Sequence, residues 1–480
     1  MGSWTRNLPA DRALFLGFLA LLVWLPIPLG SNRPWSTTLM EVSTFALLGA
    51  WVVLWAMGIA QVSDPLRRAW PAWIVIALWL LLQALHVVPL PAGLVEVLSP
   101  AAGRIHALAR DAGVQDSWTT LSIDPHQSRL SLLRSLSYAG IFFLTMALAH
   151  RRSRVLLLAQ VLVYAALANS VYAVLMHLSG MNEEFFGELI LHGTMASGTY
   201  VNRNHFAGFL EMSLAVGIGL LIAGLSDRSA DTWKKFFRLT IEWILSPKMV
   251  LRLALCVLVI ALTATHSRMG NAAFFSSLII AGGVGIMLSR YATRNTVLLL
   301  ASLVIIDLVV VGSWFGVEKL AQRFQDPGTE SLQERELPAG RAFELAKDFP
   351  VFGSGPGSFY LAFPPYRTEH IGAFYNQAHN DYVQFAAESG FPGLAILGVF
   401  VASCLAAALY AQWQRRDPLM RGMSFACIMG VTSILIHSWV DFNLQIPANA
   451  ALFMVLLALG WISLYLDRRE GAARTRTEDS

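Results

Sequence analysis

Long apolar runs, separated by short polar segments, follow one another along almost the whole chain. A helix that crosses a bilayer needs about 20 mostly apolar residues, because the hydrocarbon core is about 30 Å thick. On that criterion we predict twelve spanning helices, near residues 12–30, 37–60, 70–90, 131–149, 154–178, 205–225, 248–265, 271–289, 296–316, 391–411, 421–440 and 448–466. The two-residue alternation of barrel strands is absent. The pattern therefore predicts an all-α polytopic membrane protein.

The composition agrees with the apolar runs. Of the 480 residues, 55% are hydrophobic and 14% are charged, whereas soluble proteins carry about 25% charged residues. The mean hydropathy is +0.54. The three cysteines, Cys256, Cys404 and Cys427, lie inside apolar runs, which is typical of small core residues and not of a disulfide framework. We therefore expect a single membrane domain over residues 1–480.

The placement of charge predicts the orientation. With the N-terminus in the cytoplasm, 22 of the 35 Lys and Arg residues fall in cytoplasmic segments. The segment 317–390, on the opposite side between the ninth and tenth spans, has 6 basic and 10 acidic residues. The positive-inside rule describes this asymmetry. Both termini are therefore expected in the cytoplasm, and the net charge of +4 is too small to indicate nucleic-acid binding.

The first apolar run has a second interpretation, because Arg6 and Arg12 precede it as they would in a secretory signal peptide. However, Pro26, Pro28 and Gly30 follow the run without a small-x-small cleavage site. Removal of this helix would also invert every later loop and break the charge asymmetry. We therefore expect this run to be the first spanning helix.

Three longer segments lie outside the predicted membrane region, all on the non-cytoplasmic side. Residues 91–130 contain an amphipathic stretch, residues 179–204 are short and polar, and residues 317–390 form the longest loop. Helical patterns cover 339–349 and 378–388 within that loop, which is rich in aromatic residues. Loops of this length are usually functional or disordered. The aromatic content favours an ordered loop subdomain over 317–390, on the non-cytoplasmic side.

Polar clusters occur where the predicted helices meet the outer membrane edge. They are residues 199–205 before the sixth span, 265–268 after the seventh, 377–381 before the tenth and 441–445 after the eleventh. Arg341 adds a positive charge within the long loop. Because charge is scarce in this chain, four polar turns at one edge indicate a functional site.

Several residues of these clusters also have a purely structural interpretation. Arg203 could extend to lipid headgroups, as arginine near helix ends often does. Asn202 and Asn204 could cap the sixth span, and Asn380 could cap the helix before the tenth. His379 alone would be an ordinary loop histidine.

Two charged residues favour function more strongly. Arg268 opposes the charge bias of the protein and stands beside Ser267 in a short turn. Glu211 lies inside the sixth span, and a carboxylate in the membrane requires a partner or a water-filled cavity. An ion pair with an arginine of a neighbouring helix is its structural alternative. Asp307 and Glu41 raise the same question without a nearby motif.

The stretch 353–358, Gly-Ser-Gly-Pro-Gly-Ser, resembles a phosphate-binding loop only in composition, because no Lys-Ser/Thr follows it and Pro356 lacks an N–H donor. We interpret it as the end of the helix predicted at 341–349, with close approach of its backbone to a ligand as the alternative. No Cys/His spacing suits zinc and no Asp-x-Asp pair suits a nucleotide-sugar metal site, so no cofactor is expected. No cytoplasmic loop could hold a nucleotide-binding domain, which excludes an ATP-driven pump.

The residues at the outer edge suit the chemistry of a diphosphate lipid. Arginine side chains bind phosphate oxygens with paired hydrogen bonds, and histidine transfers protons near neutral pH. Aromatic side chains can stack on sugars. We therefore expect a diphosphate-bearing lipid whose head group is transferred to an acceptor outside the cytoplasm.

Three motifs resemble those of a known family. They are Asn202-Arg203-Asn204-His205-Phe206-Ala207-Gly208-Phe209-Leu210, Ser267-Arg268-Met269-Gly270, and His379-Asn380-Asp381-Tyr382 followed by Glu388-Ser389-Gly390-Phe391-Pro392-Gly393. Over about residues 190–450 the chain resembles the O-antigen ligase and polymerase superfamily. The number of helices, the long loop and the orientation are also similar to that family.

The resemblance implies a glycosyltransferase of the bacterial inner membrane. Such an enzyme transfers undecaprenyl-diphosphate-linked glycan, either O-antigen or exopolysaccharide, on the periplasmic face by a displacement without metal. By correspondence with the family's essential residues, the expected catalytic residues are Arg268, Arg341 and His379. The expected substrate-binding residues are Asn202, Arg203, Asn204, His205, Glu211, Ser267 and Asn380. The implied partners are the lipid-linked donor, a glycan or lipid A core acceptor and the bilayer, with no nucleic acid.

The acceptor and the class of activity stay open at this point. Ligases join the glycan to lipid A core, polymerases extend it on a second lipid-linked unit, and related members glycosylate proteins. A non-enzymatic transporter or flippase of the same lipids would predict broken helices and charges near mid-membrane. Only Glu211, Asp307 and Glu41 favour transport, and a structural scaffold would leave the arginine turn unexplained.

Overall fold

The structure is a computed structural model, and it describes residues 9–113, 118–190, 195–225, 247–288, 302, 332–367 and 375–466. In chain order the described helices are α1 (Pro9–Trp24), α2 (Pro34–Ala56), α3 (Asp64–Arg68), α4 (Trp70–Leu85), α5 (Ala92–Leu98), α6 (Pro100–Asp111), α7 (Pro125–Leu148), α8 (Arg152–Ser179), α9 (Arg203–Ala223), α10 (Pro247–Ala264), α11 (Arg268–Leu288), α12 (Leu332–Asp348), α13 (Phe359–Ala362), α14 (Asp381–Gln414), α15 (Pro418–His437) and α16 (Pro447–Tyr465). Short 3-10 turns cover Leu29–Ser31, Pro364–Tyr366 and Asn443–Gln445.

Two small antiparallel pairs of strands accompany these helices. The strand β1 (Leu90–Pro91) pairs with β2 (Trp118–Thr119), with Leu90 opposite Thr119. The strand β3 (Glu183–Phe185) pairs with β4 (Glu188–Ile190). Both pairs lie in segments that the sequence places outside the membrane.

Eight of the described helices are long and apolar enough to cross a membrane: α2, α7, α8, α9, α11, α14, α15 and α16. The helix α4 and most of α10 are apolar but shorter, and α1 overlaps the first predicted span. The ninth predicted span, 296–316, lies outside the described residues apart from residue 302. An all-α membrane protein is therefore confirmed, and the total of twelve spans stays a prediction.

The helix α9 lies at the centre of the large hydrophobic core. Every residue from 204 to 222 is buried, and α9 contacts α8, α10, α11, α15 and α16. A Cβ atom at Gly219 would lie 2.3 Å from the carbonyl oxygen of Gly422 in α15. Small residues at helix interfaces in membranes allow backbones to approach this closely. The N-terminal end of α9 is consequently held beside the C-terminal end of α15.

A second, smaller hydrophobic core joins two of the segments that the sequence predicts outside the membrane. Its buried members are Val95, Ala101, Ala102, Leu121, Ile123, Ala342, Leu345, Ala346, Phe349, Phe359, Ala362, Phe363, Ala378, Ala386 and Ala387. The helix α12 contributes three of them along one face. The part of the long loop that the structure describes is therefore packed together with α5, α6 and the chain before α7.

The glycine-rich segment 353–358 begins soon after the end of α12, as predicted. Its backbone approaches another part of the chain: the N–H of Ser354 donates to the carbonyl of Ala387 at 2.9 Å. The carboxylate of Glu388 accepts a hydrogen bond from the N–H of Gly357 at 3.0 Å. The donors of this segment thus serve to attach it to the first turns of α14.

The helix α14 bends at Gly390, whose φ of +71° and ψ of 170° are not helical. A Cβ atom there would lie 2.2 Å from the carbonyl oxygen of Val351. After the bend, the N–H of Phe391 donates to the carbonyl of Pro350 at 2.9 Å. The bend divides α14 into a part packed on the second core and the predicted span at 391–411.

Candidate functional site

The N-terminus of α9 carries the first predicted motif. Asn202 caps the helix, because its Oδ1 accepts a hydrogen bond from the backbone N–H of Asn204 at 2.8 Å. Arg203 is half-buried, and its Nη1 donates to the Sδ of Met195 at 3.0 Å. Asn204 and His205 are buried. The capping role of Asn202 is therefore confirmed, and a substrate contact of these residues stays a prediction.

One aromatic ring joins the first motif to the third. The ring centroid of Phe442 lies 4.5 Å from that of His205 and 4.9 Å from that of His379, in both cases edge to face. The Nε2 of His205 lies 3.4 Å from the Oδ1 of Asp441, which is fully buried. The ring centroid of Tyr375 also lies 5.7 Å from that of His379, edge to face. Two motifs far apart in sequence thus meet at the turn between α15 and α16.

A buried asparagine fixes the backbone at this place. Asn449, in the first turn of α16, has no exposed surface. Its Nδ2 donates to the carbonyl of His205 at 2.8 Å and to the Oδ1 of Asn443 at 3.1 Å. Its Oδ1 accepts from the hydroxyl of Tyr200 at 3.2 Å. Both ends of the Asn449 amide are thus hydrogen-bonded, and these bonds hold the backbone of His205 against the start of α16.

Glu211 lies two turns further along α9 and is completely buried. Its Oε2 accepts from the hydroxyl of Ser433 at 2.6 Å, and its Oε1 lies 2.8 Å from the Nδ1 of His437. Both partners belong to α15. Among the described residues, the partners of this carboxylate are therefore a histidine and a serine, and the arginine suggested as the structural alternative is not one of them.

The Ser267-Arg268 turn lies against Glu211 and its buried partners. The Oγ of Ser267 accepts from the N–H of Gly270 at 3.2 Å and so begins α11. A Cβ atom at Gly270 would lie 3.1 Å from the Oε1 of Glu211. His266 has a φ of +53°, in the left-handed region where histidine is enriched among non-glycine residues. The second motif therefore also meets α9, and the side chain of Arg268 is exposed at this junction.

The third motif begins α14. Asn380 caps the helix by accepting a backbone N–H at 3.1 Å, as its structural interpretation predicts. His379, just before it, has a φ of +52° and is half-buried. The buried carboxylate of Asp381 accepts from the hydroxyl of Ser438 at 2.7 Å and from the N–H of Leu444 at 3.1 Å. These bonds tie the start of α14 to the same turn that holds Phe442.

Arg341 is placed differently from the other predicted catalytic residues. It lies on α12 with an exposed side chain, beside Ala342, Leu345 and Ala346, which face the second core. Within the described part of the chain, no hydrogen bond or ion pair joins Arg341 to His379 or to the turn at Arg268. The structure thus brings the starts of α11 and α14 to α9, through Gly270 and through Phe442, whereas a meeting of the Arg268, Arg341 and His379 side chains stays a prediction.

Sequence reasoning missed four residues of this cluster: Ser433, His437, Phe442 and Asn449. Phe442 lies in the 441–445 turn, which the sequence marks as a polar cluster through the neighbours of this ring. The other three are isolated polar residues in apolar runs, where an uncharged polar side chain must also find a partner. A search restricted to charged residues overlooks that signal.

Two comparisons with known proteins bear on this site. Residues 253–398 match the Wzy_C family model, described as O-antigen ligase. No curated protein matches the chain. The matched region includes Arg268, Arg341 and His379, and it ends before the 441–445 turn. It therefore supports the resemblance that the second and third motifs carry, whereas the first motif, at 202–210, lies outside the matched region.

Proposed function

We propose that the chain transfers a glycan from a polyprenyl diphosphate to an acceptor. The proposal rests on residues 253–398, whose match to the O-antigen ligase family model supports a place in the O-antigen ligase superfamily. The donor in this proposal is undecaprenyl-diphosphate-linked O-antigen or exopolysaccharide. The membrane is the bacterial inner membrane, and the reaction takes place on its periplasmic face.

The observation that carries the proposal is the convergence of the three motifs on the first turns of α9. His379 reaches this place through the ring of Phe442, which also contacts His205. Arg268 reaches it through the turn that covers Glu211. A histidine and an exposed arginine at one helix end are the groups that a displacement of diphosphate requires.

Each of these groups has a role in the proposed reaction. A hydroxyl of the acceptor attacks the anomeric carbon of the donor glycan, and its proton passes to His379. The bond between that carbon and the diphosphate oxygen breaks, and its electron pair stays on the diphosphate. Arg268 and Arg341 stabilise this growing negative charge, an effect that is worth about 3–4 kcal/mol per donor in comparable sites.

The buried members of the site act on these groups indirectly. Glu211 and Ser267 have their oxygens bonded within the protein, so we assign them the positioning of the Arg268 turn. Asn202 and Asn380 position their helix starts in the same way. Arg203, which is half-buried, is assigned to a phosphate or sugar oxygen of the donor.

The charge distribution of the sequence supports the sidedness of the proposal. The polar clusters lie opposite the segments that hold most of the Lys and Arg residues, and such segments are usually cytoplasmic. A site on the opposite side meets lipid-linked glycan only after the glycan has crossed the membrane.

The test uses the purified full chain in vesicles with undecaprenyl-diphosphate-linked glycan, with and without lipid A core, and sizes the products. Transfer is expected for the unmodified chain and is expected to fall at least a hundredfold for Arg268→Ala and His379→Ala. Arg104→Ala and His126→Ala, which remove an exposed arginine and an exposed histidine elsewhere on the same side, serve as matched controls. Full activity of His379→Ala would overturn the assignment.

The same products identify the acceptor. Glycan on lipid A core marks a ligase, and longer glycan on the lipid carrier marks a polymerase. Glycan on an added acceptor protein marks a protein glycosyltransferase. Movement of the intact donor across the vesicle membrane without any transfer would replace the proposal with the transporter alternative.

A further inference from the structure

The hairpin of β3 and β4, residues 183–190, lies in a segment that the sequence marks as short and polar. We propose that this hairpin is an anchor in the membrane surface, and that Phe186 and Leu189 enter the lipid leaflet at the edge where α8 ends and α2 begins. The inference goes beyond the proposed function, because it concerns how the chain before α9 is held and not how a glycan is transferred.

Two stripes of exposed apolar side chains lead to the hairpin along the spanning helices. They are Trp35, Leu39 and Val42 on α2 and Val171, Leu175 and Leu178 on α8. Within each stripe the residues recur at intervals of three and four, so they share one face of the helix. Both helices are long and apolar enough to cross a membrane, and these exposed faces therefore lie in lipid. The stripes reach the first turn of α2 and the last turn of α8, which are the two helix ends beside the hairpin.

The hairpin folds back along α8 toward the membrane. Gly180 ends α8 in the left-handed conformation, with a φ of +66°. After this turn, the ring centroid of Phe185 lies 6.3 Å from that of Tyr172. Tyr172 is about two helical turns before the end of α8 at Ser179, a distance of about 11 Å along the axis. The hairpin is therefore packed on the side of a spanning helix and does not extend away from its end into water.

Aromatic rings from three helices surround the hairpin. The ring centroid of Phe186 lies 5.4 Å from that of Trp35, which in turn lies 6.4 Å from that of Trp24, the last residue of α1. Tyr172 of α8 packs on the hairpin beside them. Tryptophan and tyrosine are enriched at the level of the lipid headgroups. The three helices thus mark that level, and the hairpin lies at it.

The two faces of the hairpin have different surroundings. Glu188 and Ile190 share one face, which packs on the protein: Ile190 is buried, and Glu188 accepts a hydrogen bond from the Nε of Arg33 at 2.9 Å. Leu189 points to the opposite face and is 64% exposed, and Phe186 at the tip is 52% exposed. Exposed side chains of this size stabilise nothing in water, whereas their transfer into lipid is favourable. The outer face and the tip therefore suit a lipid surface.

The tip residue itself favours this interpretation. Phe186 and Gly187 form a two-residue loop in which both φ angles are positive, +51° and +79°. Loops of this kind prefer Asn-Gly, and a bulky side chain in the left-handed region is uncommon. Phenylalanine thus opposes the turn that it occupies. Insertion of its ring into the leaflet offsets that cost.

The hairpin is followed closely by the first motif. The N–H of Ala196 donates to the carbonyl of Ala264 at the end of α10 at 2.9 Å, and the Sδ of Met195 accepts from Arg203. The anchor is thus attached on one side to the lipid and on the other to the chain that begins α9. We expect it to hold that chain at the level of the headgroups.

The test measures the depth of the hairpin in lipid. The full chain, with its three native cysteines replaced by alanine, receives a nitroxide label through Leu189→Cys and is placed in vesicles of phosphatidylethanolamine and phosphatidylglycerol. Collisions of the label with oxygen, which concentrates in lipid, are compared with those of a nickel chelate, which stays in water. Leu175→Cys, on the exposed stripe of α8, is the lipid reference. Asp111→Cys, exposed at the end of α6, is the water reference.

The label at position 189 should behave like the one at position 175. It should collide with the nickel chelate about tenfold less often than the label at position 111, because an inserted interfacial segment is shielded from water. Collision with the chelate at the rate of the water reference would overturn the anchor. A label shielded from both oxygen and the chelate would place the hairpin against protein, such as a second copy of this chain, and would overturn the anchor as well.

Phe186→Asn tests the role of the aromatic tip without breaking the hairpin. Asn-Gly is the preferred sequence for this loop, so the hairpin should stay formed while its tip becomes polar. The label at position 189 should then become severalfold more accessible to the chelate. Phe343→Asn, which removes an exposed phenylalanine of α12, is the matched control and should leave that label unchanged. Equal accessibility in both variants would reject Phe186 as the anchoring residue. Because no readout uses glycan transfer, these results stand apart from the test of the proposed function.

Discussion

Replacing Gly353 by alanine should destabilise the protein far more than the same change at Gly58, which has a similar φ but no close neighbours. Gly353 has a φ of +75°, and an added Cβ atom would lie 2.2 Å from the carbonyl carbon of Glu388. Rotation of a side chain cannot relieve this overlap, because the neighbouring atoms belong to the backbone. The segment after Gly353 must therefore move away from α14.

The size of the effect follows from the bonds that would be lost. The left-handed conformation costs a non-glycine residue about 1–2 kcal/mol. Separation of the two segments also breaks three backbone hydrogen bonds, which join Ser354 to Ala387, Gly355 to Glu388 and Phe391 to Pro350. Each contributes about 0.5–1.5 kcal/mol. The expected loss in the free energy of unfolding is about 3–6 kcal/mol.

Gly58 provides a matched control. Its φ is +72°, and no atom lies within 4 Å of an added Cβ, so Gly58→Ala should lose only the conformational part, about 1–2 kcal/mol. Both variants would be unfolded in mixed micelles of increasing SDS content and compared with the unmodified chain. If Gly353→Ala and Gly58→Ala unfold at the same SDS content, the close backbone contact with α14 is refuted.

Three further substitutions test the cluster around α9. Glu211→Ala leaves two buried partners in α15 without their acceptor and should cost about 2–6 kcal/mol of stability, whereas Glu211→Gln should cost less; melting curves in detergent that do not differ would contradict this. Phe442→Leu removes the edge-to-face contacts with two histidines, each worth about 0.5–1.5 kcal/mol. Transfer should therefore slow about tenfold, with little change in melting temperature. An unchanged rate would exclude a positioning role for the ring. Asp381→Ala removes the acceptor of the Leu444 N–H, and hydrogen exchange at that amide should become faster; unchanged exchange would show that the bond is unimportant.

The spanning helices can be predicted from the sequence because the bilayer imposes their length and polarity. The predicted spans at 154–178 and 205–225 coincide closely with α8 and α9. The long loop is harder to predict, because its core includes residues of another loop. Nothing in the pattern around Ala342 indicates that it shares a core with Val95 and Leu121.

The sequence could indicate which polar turns lie together, but not how their side chains pair. Polar residues in apolar runs indicate that partners exist, and the four polar turns do meet as expected. The choice of partner depends on which helices lie side by side. His437 is 226 residues from Glu211, and the sequence offers an arginine of a neighbouring helix equally well.

The glycine-rich segment shows a different limit. The sequence predicts that it ends the preceding helix, and it does follow α12; the alternative, close approach of its backbone to a ligand, stays a prediction. The neighbour that its backbone does approach is the first part of α14, held by Glu388, and composition alone does not distinguish a bound ligand from another stretch of backbone.

The complete burial of α9 has a consequence for how this protein can change over generations. The helix α2 has only six buried residues among its 23, so most of its positions can exchange one apolar residue for another. Residues 204–222 of α9 have protein neighbours on every side, and in a close-packed interior even one added methylene is felt. Natural variants and directed evolution should therefore leave α9 nearly unchanged while the outer helices drift. New donor or acceptor preferences would then arise from substitutions in the helices that surround α9.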